Sequence, residues 1–245
     1  MAVTLIATPG SSAANSYMAV ADVTSWFEGR ASENKWTDLT ADQKARHAIS
    51  ATRQIDAVLR NQFTPLLNVT YFNYAQALAW PWPNDGFYHS GTANSGGTTT
   101  ILDTTLYSAG YPDDYFNGGS VLIYQSTDRK APESEIKDIS DFTRDVDNVT
   151  ATITMEEMDV APESGDYYVA IIPPPEWLKD AFCEQVWFVA TDNKGIVDKA
   201  AQGNVSFSDG KKNFNMARYS AWSGLCHETQ AILRAWVPAP RIVRT

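Results

Sequence analysis

Residues 84–172 contain no tryptophan, although the chain has eight, and only 4 Lys/Arg stand there against 16 Asp/Glu. Other absences run the whole length. No apolar run approaches the roughly 20 residues of a membrane-spanning helix. The opening MAVTLIATPGSS lacks the basic start and long apolar centre of a secretory signal. Two cysteines, Cys183 and Cys226, do not make a disulfide framework. These features point to a reducing, intracellular origin, so the sequons at Asn68, Asn148 and Asn204 are not expected to carry glycans. HExxH, paired CxxC, Walker, GxSxG and GxGxxG motifs are all missing, which removes the strongest signatures of zinc, nucleotide and serine-nucleophile chemistry. No catalytic residue, cofactor or metal is expected.

The acidic stretch defines a boundary. Residues 84–172 carry a balance of -12, whereas the other residues hold 13 Asp/Glu and 15 Lys/Arg, a balance of +2. The break falls at two proline clusters, LAWPWP (78–83) and PPP (173–175). Two composition classes in one chain argue for an inserted domain. The expected division is a helical body from 1–83 and 173–236, an acidic β domain at 84–172, and an extended tail at 237–245.

The outer segments have helical periodicity. Val20, Val23 and Phe27 share a face, with Gly29 placed as a C-terminal cap. Thr40 and Gln43 form a capping-box signature ahead of a stripe of Ala45, Ala48, Ile49, Thr52, Ile55, Leu59 and Phe63, which Pro65 should end. After Pro175 comes a second stripe, Leu178, Ala181, Phe182, Val186, Val189 and Ala190. A short helix is expected after Gly195, then a loop, GNVSFSDGKKNF. The last helix should bury Trp222, Leu225, Cys226, Thr229, Ile232, Leu233 and Trp236, stopping before Pro238.

The middle segment alternates differently. TTTILD (98–103), SVLIYQ (120–125), EIKDIS (135–140), TATITM (150–155) and YYVAII (167–172) are rich in β-branched residues and separated by turn signals. They predict a small antiparallel barrel or sandwich. Residues 86–97 read as a flexible entry loop. The predicted class is therefore α+β: a discontinuous helical bundle with an inserted β domain.

Candidate chemistry is sparse. His47, His89 and His227 lie on different elements without partner spacing and read as surface or boundary residues. Asp113-Asp114, Asp145 with Asp147, and Glu156-Glu157 offer hard oxygen ligands but lack a calcium-loop pattern, so solvated acidic loops are the expected role. Trp80 and Trp82, with Tyr71, Phe72 and Tyr74 nearby, can stack on bases or sugars. The nearest upstream basic residue is Arg60, however, so core or interface packing is expected instead. Cys183 and Cys226 fall on or beside apolar helix faces, as buried thiols do. The tail holds Pro238, Pro240, Arg241, Ile242, Val243 and Arg244 and no acid. Its composition suits a docking segment or a frayed terminus.

Three segments carry a resemblance: NSYMAVADVTSWFEGR, then NKWTDLTADQKARHAISATRQID, then QALAWPWP. In that order they resemble the head–tail connector (adaptor) family of tailed bacteriophages. The matching positions include Tyr17, Phe27, Arg30, Trp36, Arg53, Asp56, Gln76, Trp80 and Pro81, which the resemblance casts as packing residues. PPPEWLKDAFCEQVWFVAT and SAWSGLCHETQAILRAWV resemble the family's later helices. Trp82 stands where the family usually has a basic residue. The β segment lies outside the minimal family, although its layout resembles β modules of other virion proteins.

The resemblance implies a non-enzymatic structural virion protein of the neck. It would assemble in the host cytoplasm as a ring, commonly of twelve copies, below the portal protein and around the DNA channel, without sequence-specific DNA binding and without a membrane. The tail, from Pro238 to Arg244, would contact portal, and the opposite face would receive tail, nozzle or tube proteins. Two other readings are a single-stranded nucleic-acid-binding module and a glycan-binding or glycan-cleaving module carried by the β segment. The charge split places the acidic segment on the ring's periphery or tail-facing rim, because about twelve charges per copy repel neighbours and DNA within a Debye length of about 8–10 Å.

Overall fold

The computed structural model describes residues 3–29, 34–68, 72, 74–84, 86–129, 131–191, 206–208, 213–215 and 225–237. The described fold is α+β. Its helices are α1 (Val20–Glu28), α2 (Asn34–Thr37), α3 (Ala41–Leu59), α4 (Thr104–Ser108), α5 (Glu176–Ala190) and α6 (His227–Trp236). Seven strands form one antiparallel sheet: β1 (Tyr88–Thr92), β2 (Ser95–Gly97), β3 (Thr100–Asp103), β4 (Ser120–Gln125), β5 (Ile136–Asp145), β6 (Thr150–Met155) and β7 (Tyr167–Ile171). Two more, β8 (Ser206–Ser208) and β9 (Asn213–Asn215), pair antiparallel where a loop was expected. The chain divides into two compact units. One comprises Met1–Ile6, Asn15–Gln62 and Glu176–Thr245, the other Ala7–Ala14 and Phe63–Pro175.

Among the described residues, the first unit holds every α-helix except α4. Thr40 caps α3 as its spacing predicts: its hydroxyl accepts from the Gln43 amide, and the Gln43 side chain accepts from the Thr40 amide at 2.9 Å. The helix buries Ala45, Ala48, Ile49, Ala51, Thr52, Ile55 and Leu59 along one face. It ends at Leu59, short of the expected Phe63. The Asn61 and Gln62 amides bond back three residues, to Val58 and Leu59, tightening the last turn out of α-helical register. Gly29 is the C-cap of α1 with φ -77, so any residue could adopt its conformation.

Helix α5 is the hub of this unit. Its buried Gln185 donates to the Gln54 side chain at 2.5 Å and accepts from the Cys226 amide at 2.9 Å. The Thr229 hydroxyl donates to the Ala181 carbonyl at 3.0 Å. These three bonds satisfy buried polar groups while tying α5 to α3 and to the start of α6. Cys226 serves as the N-cap of α6, where its sulfur accepts from the Thr229 amide, so α6 starts later than the apolar stripe from Trp222 suggested. Residues 221–224 lie outside the described residues.

In the second unit the sheet order is β1-β7-β4-β5-β6-β3-β2. The sheet is open, which corrects the expected barrel. Its two edge strands, β1 and β2, are consecutive in the chain. At Ala93–Asn94 the backbone passes from β7 to β3: the Ala93 amide bonds to the Asp166 carbonyl at 2.8 Å and the Asn94 amide to the Leu102 carbonyl at 2.9 Å. One chain segment thus supplies both edges and cannot pair with itself. Residues 86–97, expected as a loop, are largely these two strands. β5 is the shared element. It pairs with β4 through Ile136–Asp138 and with β6 through Ile139–Asp145, with a register shift between Ile139 and Asp141.

Burial explains the two kinds of strand. β3 and β6 alternate, with Ile101, Ala151, Ile153 and Met155 turned into the main core. β4 and β7 are apolar on both faces. Val121, Ile123, Tyr168 and Ala170 enter the main core, while Leu122, Val169 and Ile171 pack with Leu66, Leu67 and Phe72. The stretch 63–83, assigned to the helical body on sequence, therefore makes these contacts within the sheet-containing unit. Gly119 is required by close approach, since a Cβ there would overlap the Ile171 carbonyl.

Candidate interaction surfaces

The residues that carry the family resemblance fall into two groups. In the first unit, the buried Tyr17 donates its hydroxyl to Asp56 at 2.7 Å, and Arg60 donates to the other Asp56 oxygen at 2.5 Å. Phe27 packs against Trp36 and Trp187, with ring centroids 5.0 and 5.6 Å away. The Trp36 indole donates to the Thr24 hydroxyl at 3.0 Å, and the Lys44 ammonium lies 5.3 Å from the ring centroid. Arg53 is exposed on α3. Arg30 lies outside the described residues, as do Pro238, Pro240, Arg241, Ile242, Val243 and Arg244.

The second group shapes the proline-rich turn. The Gln76 amide group accepts from the Leu67 backbone at 3.0 Å and donates to the Leu78 and Pro81 carbonyls at 2.8 and 2.9 Å. Trp80–Pro81 is a cis peptide. Trp80 is 1% exposed and lies edge-on to Trp82, which stacks on Phe63 with centroids 4.0 Å apart. Both indoles also contact Phe87. Neither ring presents a free face on which a base or sugar could stack.

An exposed aromatic surface occurs instead at the end of α6. Trp236 is 61% exposed and stacks on Trp177 of α5, centroids 5.8 Å apart and planes 11° from parallel. The expected apolar stripe placed Trp236 inside, which the structure corrects. Thr229 and Leu233 are the buried positions of α6, whereas Trp236, at the helix's last residue, leaves most of its ring outside and rests on Trp177. Trp177 was missed on sequence because its place in the first turn of α5 resembles any interfacial aromatic.

The acidic unit contains one buried polar node. Asp103 is fully buried. Its Oδ1 accepts from the Thr105 amide and hydroxyl, both at 2.6 Å, and its Oδ2 accepts from the Tyr168 hydroxyl at 2.6 Å. Burial first, and then the Asp103 charge, push the Tyr168 hydroxyl well above its ordinary range. His89 lies on β1, edge-on to Tyr111. Burial lowers its pKa, an effect that Asp103 partly opposes, and its Nε2 finds no partner among the described residues. Gly91 leaves room for this node, because a Cβ there would come within 2.5 Å of the Asp103 carboxylate. With both Asp103 oxygens accepting from protein donors, the node fixes the start of α4 against β7.

The acidic pairs considered as ligands are used in turns. Asp145 accepts from the Asp147 and Asn148 amides at 3.0 and 3.1 Å and from the Asn148 side chain at 2.6 Å, which holds its carboxyl below the usual range. Asp113 accepts from the Arg144 amide at 2.7 Å. Among the described residues no group of three His, Cys, Asp or Glu is gathered to hold a metal. Both cysteines are buried thiols, and burial raises the pKa of Cys226.

Comparison with protein-family models, with curated proteins and with solved structures finds no match.

Proposed function

We propose that this protein is a structural head–tail adaptor. Copies of its helical unit pack side by side in a ring below the portal of a tailed virion, and the acidic β unit is an insertion carried on that ring's outer or tail-facing side. What carries the reading is the Trp177–Trp236 stack. Two large rings are held parallel beside the last turn of α6, one of them mostly exposed, immediately before the Pro- and Arg-containing tail. Rigid aromatics at such a position supply contact area at small entropic cost, as protein-binding surfaces do. The ordered series of motifs supports the same reading: Tyr17, Phe27, Trp36 and Asp56 make specific packing and hydrogen-bond contacts in the helical unit.

The test is portal capture. Full-length protein should be retained by immobilised portal, Trp236→Ala should weaken retention, and deletion of residues 237–245 should abolish it. Retention of the truncated chain equal to that of the full chain would overturn the tail's role. The single-stranded nucleic-acid alternative loses its proposed stacking platform to the burial of Trp80 and Trp82. A gel shift at low salt separates it from the adaptor reading, and a glycan array separates the glycan-binding alternative.

A further inference from the structure

The exposed side of α3 has an arrangement that core packing does not require. Arg46, Arg53 and Arg60 recur every seven residues and are all exposed, on the face opposite Ala48, Ile55 and Leu59. Seven residues fall about 20° short of two turns, so the three guanidinium groups line one stripe. At 1.5 Å per residue the stripe is about 21 Å long. Between them stand Ser50 and Ala57, giving the row Arg-Ser-Arg-Ala-Arg. Arg46 pairs with Asp42 at 2.7 Å and Arg60 with Asp56 at 2.5 Å. Arg53 has no ion pair among the described residues.

The turn joining β5 to β6 has the complementary composition. Val146 and Val149 are 70% and 51% exposed, and between them stands the exposed Asp147, preceded by Asp145. The turn therefore presents two apolar tips beside its carboxylates. Carboxylates beside apolar tips suit a surface of arginines separated by small residues.

We infer that the α3 arginine stripe receives the β5–β6 turn of a second copy of this chain. The inference rests on the ring reading above. Charge argues for a copy over nucleic acid. The unit containing the turn carries -12 and the unit containing α3 carries +2, so neighbouring copies bring opposite signs together. Asp42 and Asp56 already offset two of the three arginines, which suits one short acidic turn better than a tracked phosphate backbone, whose affinity grows with each phosphate neutralised. A phosphate backbone also offers nothing to the two valines.

A charge swap in the full-length chain tests this. Arg53→Glu and Asp147→Lys change exposed side chains, and circular dichroism checks that each variant folds. Self-association is followed by sedimentation at low salt, alone and with portal. Each single variant should associate at least roughly tenfold more weakly, the size of one close interfacial charge pair. The double variant should recover most of the loss, and added salt should weaken the wild type. Single variants that assemble like wild type, or a double variant that adds the two losses, would overturn the inference while leaving the ring intact. Wild-type protein monomeric under every condition would overturn the ring reading itself. Loss of single-stranded oligonucleotide binding by Arg53→Glu, with unchanged self-association, would identify nucleic acid as the occupant and overturn the inference.

Discussion

The helical unit and the sheet-containing unit solve the same problem with different side chains. In the first, order comes from aromatic and aliphatic packing, with Gln185, Gln54 and Thr229 joining helices and two carboxylates, Asp56 and Asp180, accepting from Tyr17 and Trp26. In the second, carboxylates are the more frequent acceptors, and they hold turns. Asp166 accepts from the Thr127 amide and hydroxyl and from the Glu163 amide, Glu133 accepts from the Ser126 amide, and Asp103 and Asp145 act likewise. The charge of -12 is thus partly a consequence of turn chemistry. The lesson is that a charge split can mark a boundary between units while the charges themselves serve local folding.

That contrast can be attacked from either side. The largest effect should come from Trp36→Ala, which removes a fully buried indole contacting Phe27 and bonded to Thr24. A loss of about 3–5 kcal/mol is expected in urea unfolding. Hydrogen exchange should show amides of α1 and α3 losing protection before those of β4 and β7. Equal loss in both units would mean that they unfold as one.

Asp103→Ala comes next. It strands the buried Tyr168 hydroxyl and removes the cap of α4, so a loss of about 2–3 kcal/mol is expected. Adding Tyr168→Phe should recover part of it, because no buried donor then lacks a partner. If the second change adds further loss, the node is not organised around this bond.

Acid should weaken the sheet-containing unit first, through His89, whereas Asp42 of the helical unit, its carboxyl held low by Arg46, responds only at lower pH. The His89 pKa is depressed by burial, so its stabilising contribution is complete above the unfolded value of about 6.5 and is lost as pH falls through the folded value. Asp145 adds to this at lower pH: its pKa is also depressed, so its contribution holds above about 3.9 and disappears below. Asp138 opposes them. Burial, with Glu156 nearby, raises its pKa, and it destabilises the neutral-pH fold until it is protonated. His89→Gln should flatten the pH dependence of melting between pH 7 and pH 5, and an unchanged slope would remove His89 from the account.

The smallest effect is at Val149, a β-branched residue held at φ 54 in the β5–β6 turn. Val149→Gly should stabilise by about 1 kcal/mol in melting experiments, since the left-handed conformation strains L residues by about that amount. A destabilised variant would show that the exposed valine does more in the free chain than occupy a turn.

The parts of this fold legible in the sequence are those with a local cause. The Thr40–Gln43 cap, the apolar face of α3, and strands β4 and β6 each followed from side chains within a few residues. β1 and β2 did not, because His89, Gly91, Gly96 and Gly97 have little strand propensity and owe their conformation to partners in β7 and β3, distant in sequence. Leu66, Leu67 and Phe72 could not be assigned to the sheet from sequence, since a strand buried on both faces does not announce what covers its second face. Trp177 and Trp236 required knowing that α5 and α6 bring these two rings together, which no local spacing states.

Light scattering on the size-separated full-length chain, with and without portal protein, bears on the adaptor reading most directly. A closed assembly of many copies, formed alone or on portal, is the expected result. A chain that stays monomeric in both conditions would contradict it.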